Sequence, residues 1–210
     1  MHGRLILVPV LGLSLLSGCF YTHGSYQSAR LLATGETEFV PYYQAETFKM
    51  DGLSDLKGAE YGVQVAHGLS ESINFRLRFE KLAPDGMDAW SYIGLGPKFG
   101  KPDGRFAFDL PVGMFFGKAV REEKSWQIHP TGIFSLPLTS SLELTGFAKL
   151  LFFFDTDTDP LYSVGLGGGV WTPGKQFTVR PEISMVKGFR DSGTHTSIGV
   201  GVAYTLTGGR

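Results

Sequence analysis

His195 and Ser197 stand two residues apart, an imidazole and a hydroxyl that one extended strand turns to the same side. With Glu182 or Glu143 as the carboxylate, they have the parts of an acyl-transfer triad: nucleophile, base and orienting group. Such an i, i+2 pair is also common by chance. A second group of residues is larger: Glu38, Gln64, Arg76, Arg78, Glu80, Asp109, His129, Glu143, Lys149, Arg180 and Glu182 recur on one face of successive extended stretches. Both signs occur in similar number, so a network of salt bridges and hydrogen bonds is expected, because unpaired polar groups in a confined space are costly.

Other candidates carry less. Asp155-Thr-Asp157-Thr-Asp159 has the spacing that opens a calcium loop, but Pro160 stands where glycine is needed and Leu166 where glutamate is needed. A solvated surface loop is the reading. The histidines at 2, 23, 67, 129 and 195 are scattered, and no transition-metal site and no cofactor is expected. The run Gly165-Leu-Gly167-Gly168-Gly169 lies within a strand-like stretch, where glycines read as small lumen-facing or bulge residues and cradle no phosphate.

Cys19, the single cysteine, follows a basic start and an apolar run from Leu5 to Leu16. That order is an export signal, and the run is too short to span a bilayer as a helix. Leu16-Ser17-Gly18-Cys19 resembles a bacterial lipobox, which implies cleavage before Cys19 and a covalent lipid on its thiol. Phe20 follows where an inner-membrane retention signal would have Asp, so the resemblance favours the outer membrane. The chain is thus expected to divide into a signal peptide (1–18), a polar periplasmic tether (19–35) and one domain (36–210). Formal net charge is −1, which implies no nucleic-acid partner.

From Glu36 onward, segments of about ten residues alternate in hydropathy and are separated by turn residues. Ten strands are expected at 36–46, 58–67, 73–82, 88–99, 105–117, 125–136, 141–154, 160–171, 176–187 and 195–206, with 8 or 12 as alternatives. Short turns alternate with longer, more charged loops, as in an outer-membrane barrel. Pro111, Pro130 and Pro181 fall mid-strand, where bulges would accommodate them. Trp90 and Tyr92 have the opposite parity to Ile93 and Leu95, which suggests a bulge or a shifted register there. Leu150 to Phe154 is apolar on both faces and reads as an aromatic girdle at a loop end.

Alternation alone does not say which face points outward. Glycine, alanine and serine crowd the polar face, lysines other than Lys149 keep to turns and strand ends, and Tyr43, Trp90, Tyr92, Trp126, Tyr162, Trp171 and Tyr204 fall toward strand ends. Together they favour a lipid-facing apolar exterior with aromatic girdles over a soluble barrel. The fold class expected is all-β: a closed, antiparallel, up-and-down transmembrane β-barrel.

The chain resembles small bacterial outer-membrane β-barrel proteins over nearly all of residues 36–210. In the last strand Gly201-x-x-Tyr204-x-Leu206 is similar to the signal read by the barrel-assembly machinery, although Val200 and the Thr207-Gly208-Gly209-Arg210 tail depart from that pattern. His-x-Ser at 195–197 also resembles lipid A deacylase barrels, without the surrounding pattern. The resemblance implies an outer-membrane location with both termini periplasmic. Membrane lipid, the assembly machinery and the lipoprotein-processing enzymes are the implied partners. The function expected is a surface or structural envelope lipoprotein with a mostly filled polar lumen. The alternatives are a small-solute pore, a lipid-modifying hydrolase, and a soluble lipocalin-like binder of a hydrophobic ligand.

Overall fold

The computed structural model describes residues 22–49, 55–118, 125–154, 159–172, 176–189 and 193–207. The expected signal peptide, Cys19, Asp155 and Asp157 lie outside them. The strands are β1 (Thr37–Lys49), β2 (Leu56–Ser70), β3 (Ile73–Pro84), β4 (Trp90–Phe99), β5 (Phe106–Asp109), β6 (Val112–Gly117), β7 (Ser125–Ile128), β8 (Thr131–Pro137), β9 (Leu142–Phe153), β10 (Leu161–Trp171), β11 (Phe177–Gly188) and β12 (Thr194–Leu206). Every pairing is antiparallel, and β12 returns to pair with β1, so the sheet closes on itself and has no free edge.

Two wall positions are each shared by two short strands. β5 and β6 follow β4 in a single register, and β7 and β8 meet β9 in a single register. The barrel therefore has ten wall positions, two of them interrupted. The interruptions fall at Leu110-Pro111 and His129-Pro130. Proline removes a ladder donor there, and neighbouring amides bridge the gap: Leu110 N–H donates to Pro97 O, His129 N–H to Pro111 O, and Leu150 N–H to Pro130 O, each at 3.0 Å.

Pro181 does not produce the bulge expected of it. β11 runs straight through, and its ladder to β10 lapses opposite Gly168 and Gly169, then resumes in the same register. A bulge would have inserted a residue and shifted that register. The fourth strand is also regular. Trp90 and Tyr92 face inward while Ile93 and Leu95 face outward, so their opposite parity reflects two different faces.

Successive residues of each strand divide between outside and inside. Phe75, Leu77 and Phe79 are exposed while Asn74, Arg76 and Glu80 are buried; in β12, Ile198 is 65% exposed and Ser197 5%. The apolar face points outward on every side, the reverse of a soluble ligand-binding barrel. Among the described residues, no helix is long and apolar enough to cross a membrane.

Apolar side chains also pack inside the barrel, in four groups among the described residues, two of them built from the wall alone. Leu82, Trp90, Tyr92 and Phe115 pack together, so Trp90 and Tyr92 do not belong to an external girdle. Leu151 turns inward against Leu161 and Val186, with Phe48 and Phe153 beside it. The stretch expected to be a girdle is therefore partly an internal apolar cap.

The largest departure concerns the expected tether. Thr22 to Ala29 and Leu31 are buried, and this segment lies inside the barrel. Its start approaches Glu46 and His195, near the long-loop ends of β1 and β12. Its end reaches the short-turn side, where Leu31 N–H donates to Lys101 O at 3.3 Å. The chain then reverses: Glu36 N–H donates to Ala33 O at 3.0 Å, with Gly35 at φ +83° supplying the left-handed residue that a type II turn requires. β1 starts and β12 ends on the short-turn side, as an even count demands. Thr22 nevertheless lies in the opposite half of the barrel.

Candidate functional site

A peptide in irregular conformation leaves every backbone donor and acceptor in need of a partner. For residues 22–31 the barrel wall supplies them. Lys149 Nζ reaches the carbonyls of Thr22, His23 and Gly24 at 3.5, 3.0 and 3.3 Å. Glu182 accepts from the amides of Ser25 and Tyr26, one on each oxygen, both at 2.7 Å. Gln64 Nε2 donates to Ser25 O at 3.1 Å, and Arg180 Nη1 to Tyr26 O at 2.9 Å. Ser135 Oγ accepts from the Ala29 amide at 2.8 Å, and Lys98 Nζ serves the carbonyls of Ser28 and Arg30.

Side chains of the segment complete the fit. Tyr26 O–H donates to Gln44 Oε1 at 2.8 Å, and its ring stacks on Tyr42 with centroids 4.7 Å apart. Gln27 Nε2 donates to Asp109 Oδ2 at 3.0 Å. Arg30 lies 5.3 Å from the Trp171 ring at the short-turn end. Tyr26 adopts φ +48°, a conformation that costs a side-chain-bearing residue about 1–2 kcal/mol. The paired bonds to Glu182 and Arg180 hold it there.

Wall glycines make the space. A Cβ on Gly201 would stand 3.2 Å from the Tyr26 ring, and one on Gly94 or Gly113 would run into the Tyr92 ring. The small residues of the polar face thus admit large rings from the segment and from the wall itself. Between segment and wall, the mid-lumen cavity by Gln27, Gln64, Arg76 and Asp109 is about 20 Å³, room for about one water. A wider cavity of about 310 Å³ opens at the short-turn end by Leu31, Glu36, Asn74 and Thr205.

Every charged residue of the polar-face group read from the sequence, Glu38 through Glu182, points into this interior, Arg78 less deeply than the rest. The expected network of mutual pairs forms only in part. Glu38 and Arg180 make a two-point pair at 2.7 and 3.0 Å, Arg78 meets Glu60 and Glu80, and Arg76 donates to Gln64. Glu182, Asp109 and Lys149 serve the segment instead. His129 stacks on Tyr92 and contacts Gln127 Oε1 at 2.8 Å, and Glu143 is buried near Gly169.

The triad does not assemble. Ser197 Oγ lies 2.7 Å from Ser184 Oγ, both oxygens of Glu182 are held by backbone amides, and His195 faces Glu46. All three open into the occupied lumen, away from lipid. Gly201 sits under Tyr26 and opposite Tyr42, while Tyr204 packs on Phe177 and Leu206 is exposed.

Several participants escaped the sequence reading. Lys98, near the end of β4, is buried against the segment. Glu46, Glu60 and Gln44 share the inward parity of Glu38, which was the available signal. His23 and Tyr26 carried no periodic signal at all.

No family model and no curated protein matches the chain. Among solved structures, the chain is similar to an outer membrane channel from Pseudomonas putida F1, at 11% identity and a TM-score of 0.54, over 89% of this chain and 100% of that one. It is also similar to the translocator domain of the autotransporter NalP from Neisseria meningitidis, at 15% identity and 0.46, over 94% of each chain. At 11% identity the likeness to the channel is one of fold: a closed outer-membrane-type β-barrel.

Proposed function

We propose that the chain is an outer-membrane envelope lipoprotein whose barrel is closed by its own N-terminal segment, without enzymatic activity. The observation that carries this reading is the segment itself, bonded to the wall across the lumen through Glu182, Arg180 and Asp109, with a cavity of only about 20 Å³ beside Gln27 and Asp109. The apolar exterior supports a membrane location, since a closed barrel satisfies all its backbone groups within the wall.

The lipid on Cys19 belongs to the same proposal. Two residues, Phe20 and Tyr21, separate Cys19 from Thr22, about 10 Å of extended chain. With the segment in the lumen, that reach implies a lipid at the long-loop mouth rather than below the short turns. The lipid then fastens the end of the segment at the side from which it would otherwise retreat.

A second reading is a gated small-solute pore, opened when the segment leaves. It is favoured by the wall pairing, which closes without any contribution from residues 22–31, and by the charges that departure would leave facing water. Planar-bilayer recording tests both. The full chain is expected to stay silent, and a variant lacking residues 22–33 to show reproducible conductance steps. Steps from the full chain would overturn the closed barrel; silence from the folded deletion variant would remove the gated pore.

A further inference from the structure

Three residues far apart in sequence meet beneath the apolar cap at the long-loop end: His23 on the luminal segment, Glu46 on β1 and His195 on β12. We infer that they form a binding site for a divalent transition-metal ion, with zinc as the best fit. A nitrogen or oxygen from each lies within 4.8 Å of the others. Glu46 is central: its Oε1 is 3.8 Å from His23 Nε2, and its Oε2 is 3.4 Å from His195 Nε2. Zinc bonds to imidazole nitrogen and carboxylate oxygen are about 2.0–2.2 Å, so ligand atoms around one tetrahedral ion stand roughly 3.3–3.6 Å apart. The present spacing needs only small side-chain adjustments to close on an ion.

The donor set selects the class of metal. Two imidazoles and one carboxylate suit zinc and its neighbours, whereas calcium and magnesium call for oxygen ligands. Three protein ligands leave a fourth position for water.

The surroundings hold the ligands in place. Gln44 Nε2 donates to Glu46 Oε1 at 3.0 Å, and Tyr26 O–H donates to Gln44 Oε1, which fixes which end of the amide faces the carboxylate. The His23 and His195 rings stand edge to face with centroids 3.8 Å apart, and Phe48 packs on His195 at 4.7 Å. All three ligands are buried. An ion there is shielded from bulk water and ties the segment to two adjoining wall strands.

The test uses the full chain folded in detergent, carrying no polyhistidine tag and stripped with a chelator, then titrated calorimetrically with zinc chloride alone. His23→Gln and His195→Gln are titrated in parallel, and heat-modified gel migration verifies that each variant is folded. The expected result is one zinc per chain, with affinity lowered about tenfold or more in either variant. Zinc should also raise the thermal midpoint of the full chain and leave that of His23→Gln unmoved. His23 lies outside the wall, so its loss does not perturb strand pairing. The inference is overturned if the folded full chain takes up no zinc, or if both variants bind it as tightly as the full chain does.

Discussion

Glu182, in the middle of β11, holds the backbone of Tyr26 and its neighbour: its two oxygens each accept one amide hydrogen, from Ser25 and Tyr26, at 2.7 Å. A wall carboxylate thus does for the segment what a ladder partner does for a strand. Glu182→Gln keeps the size but replaces one acceptor oxygen with a donor that faces a donor. A lost charge-assisted bond of this kind costs about 2 kcal/mol, or about thirtyfold in local opening. Hydrogen exchange by mass spectrometry should show that acceleration within residues 22–31 and unchanged protection in the strands.

Gly201 leaves the space that the Tyr26 ring fills, with its nearest atom 3.2 Å from where a Cβ would stand. Gly201→Val should crowd that ring and cost about 1–3 kcal/mol of stability. Gly146 has only ordinary contacts around the same position, the nearest at 3.5 Å. Gly146→Ala should therefore be close to neutral. Equilibrium unfolding of the two variants in the same detergent checks the contrast.

Leu77 projects outward from the middle of β3 while its neighbours Arg76 and Arg78 project inward. Leu77→Lys places a charge on the lipid-facing surface and should cost about 2–4 kcal/mol near the bilayer midplane. Reversible folding into vesicles of phosphatidylcholine measures it. An equally stable variant would mean that this face meets water.

Cys19→Ala removes the proposed lipid but not the apolar exterior. The variant is expected to stay in the membrane fraction after carbonate extraction. Complete release as a soluble, folded protein would show that the lipid was the sole attachment.

The wall was legible because alternation with period two is written into each strand separately. Ile73 to Glu80 and Thr196 to Leu206 each specify both faces with no knowledge of the rest of the chain. The same parity placed Arg76, Glu80, Asp109 and Arg180 inside. Local rules make irregularities of Pro181 and the Trp90–Tyr92 pair; the structure tolerates a short lapse in the ladder and an apolar patch on the inner face.

The occupant of the lumen was not legible. Residues 22–31 have no hydrophobic period and a mixed, mostly polar composition, which is also that of a linker. Their position is set by partners more than a hundred residues away, such as Lys149, Arg180 and Glu182. The indirect trace was on the wall, where inward charges and glycines exceed what neighbouring strands can use among themselves. His23, Glu46 and His195 were invisible as a group for the same reason: two strands and the luminal segment must all be in place before they meet.

The account rests on residues 22–31 lying inside the barrel, and the Ser28–Ser135 contact tests it most directly. Their hydroxyl oxygens are 3.4 Å apart, one on the segment and one on β8. Ser28→Cys combined with Ser135→Cys, in a Cys19→Ala background, brings two thiols to a separation that a disulfide can close. Mild oxidation of the folded protein should give near-complete cross-linking, seen as a reducible mobility shift on a denaturing gel. If both thiols instead stay reduced, and the one introduced on the segment reacts freely with a bulky maleimide from outside, the segment is not in the lumen and the closed-barrel account is wrong.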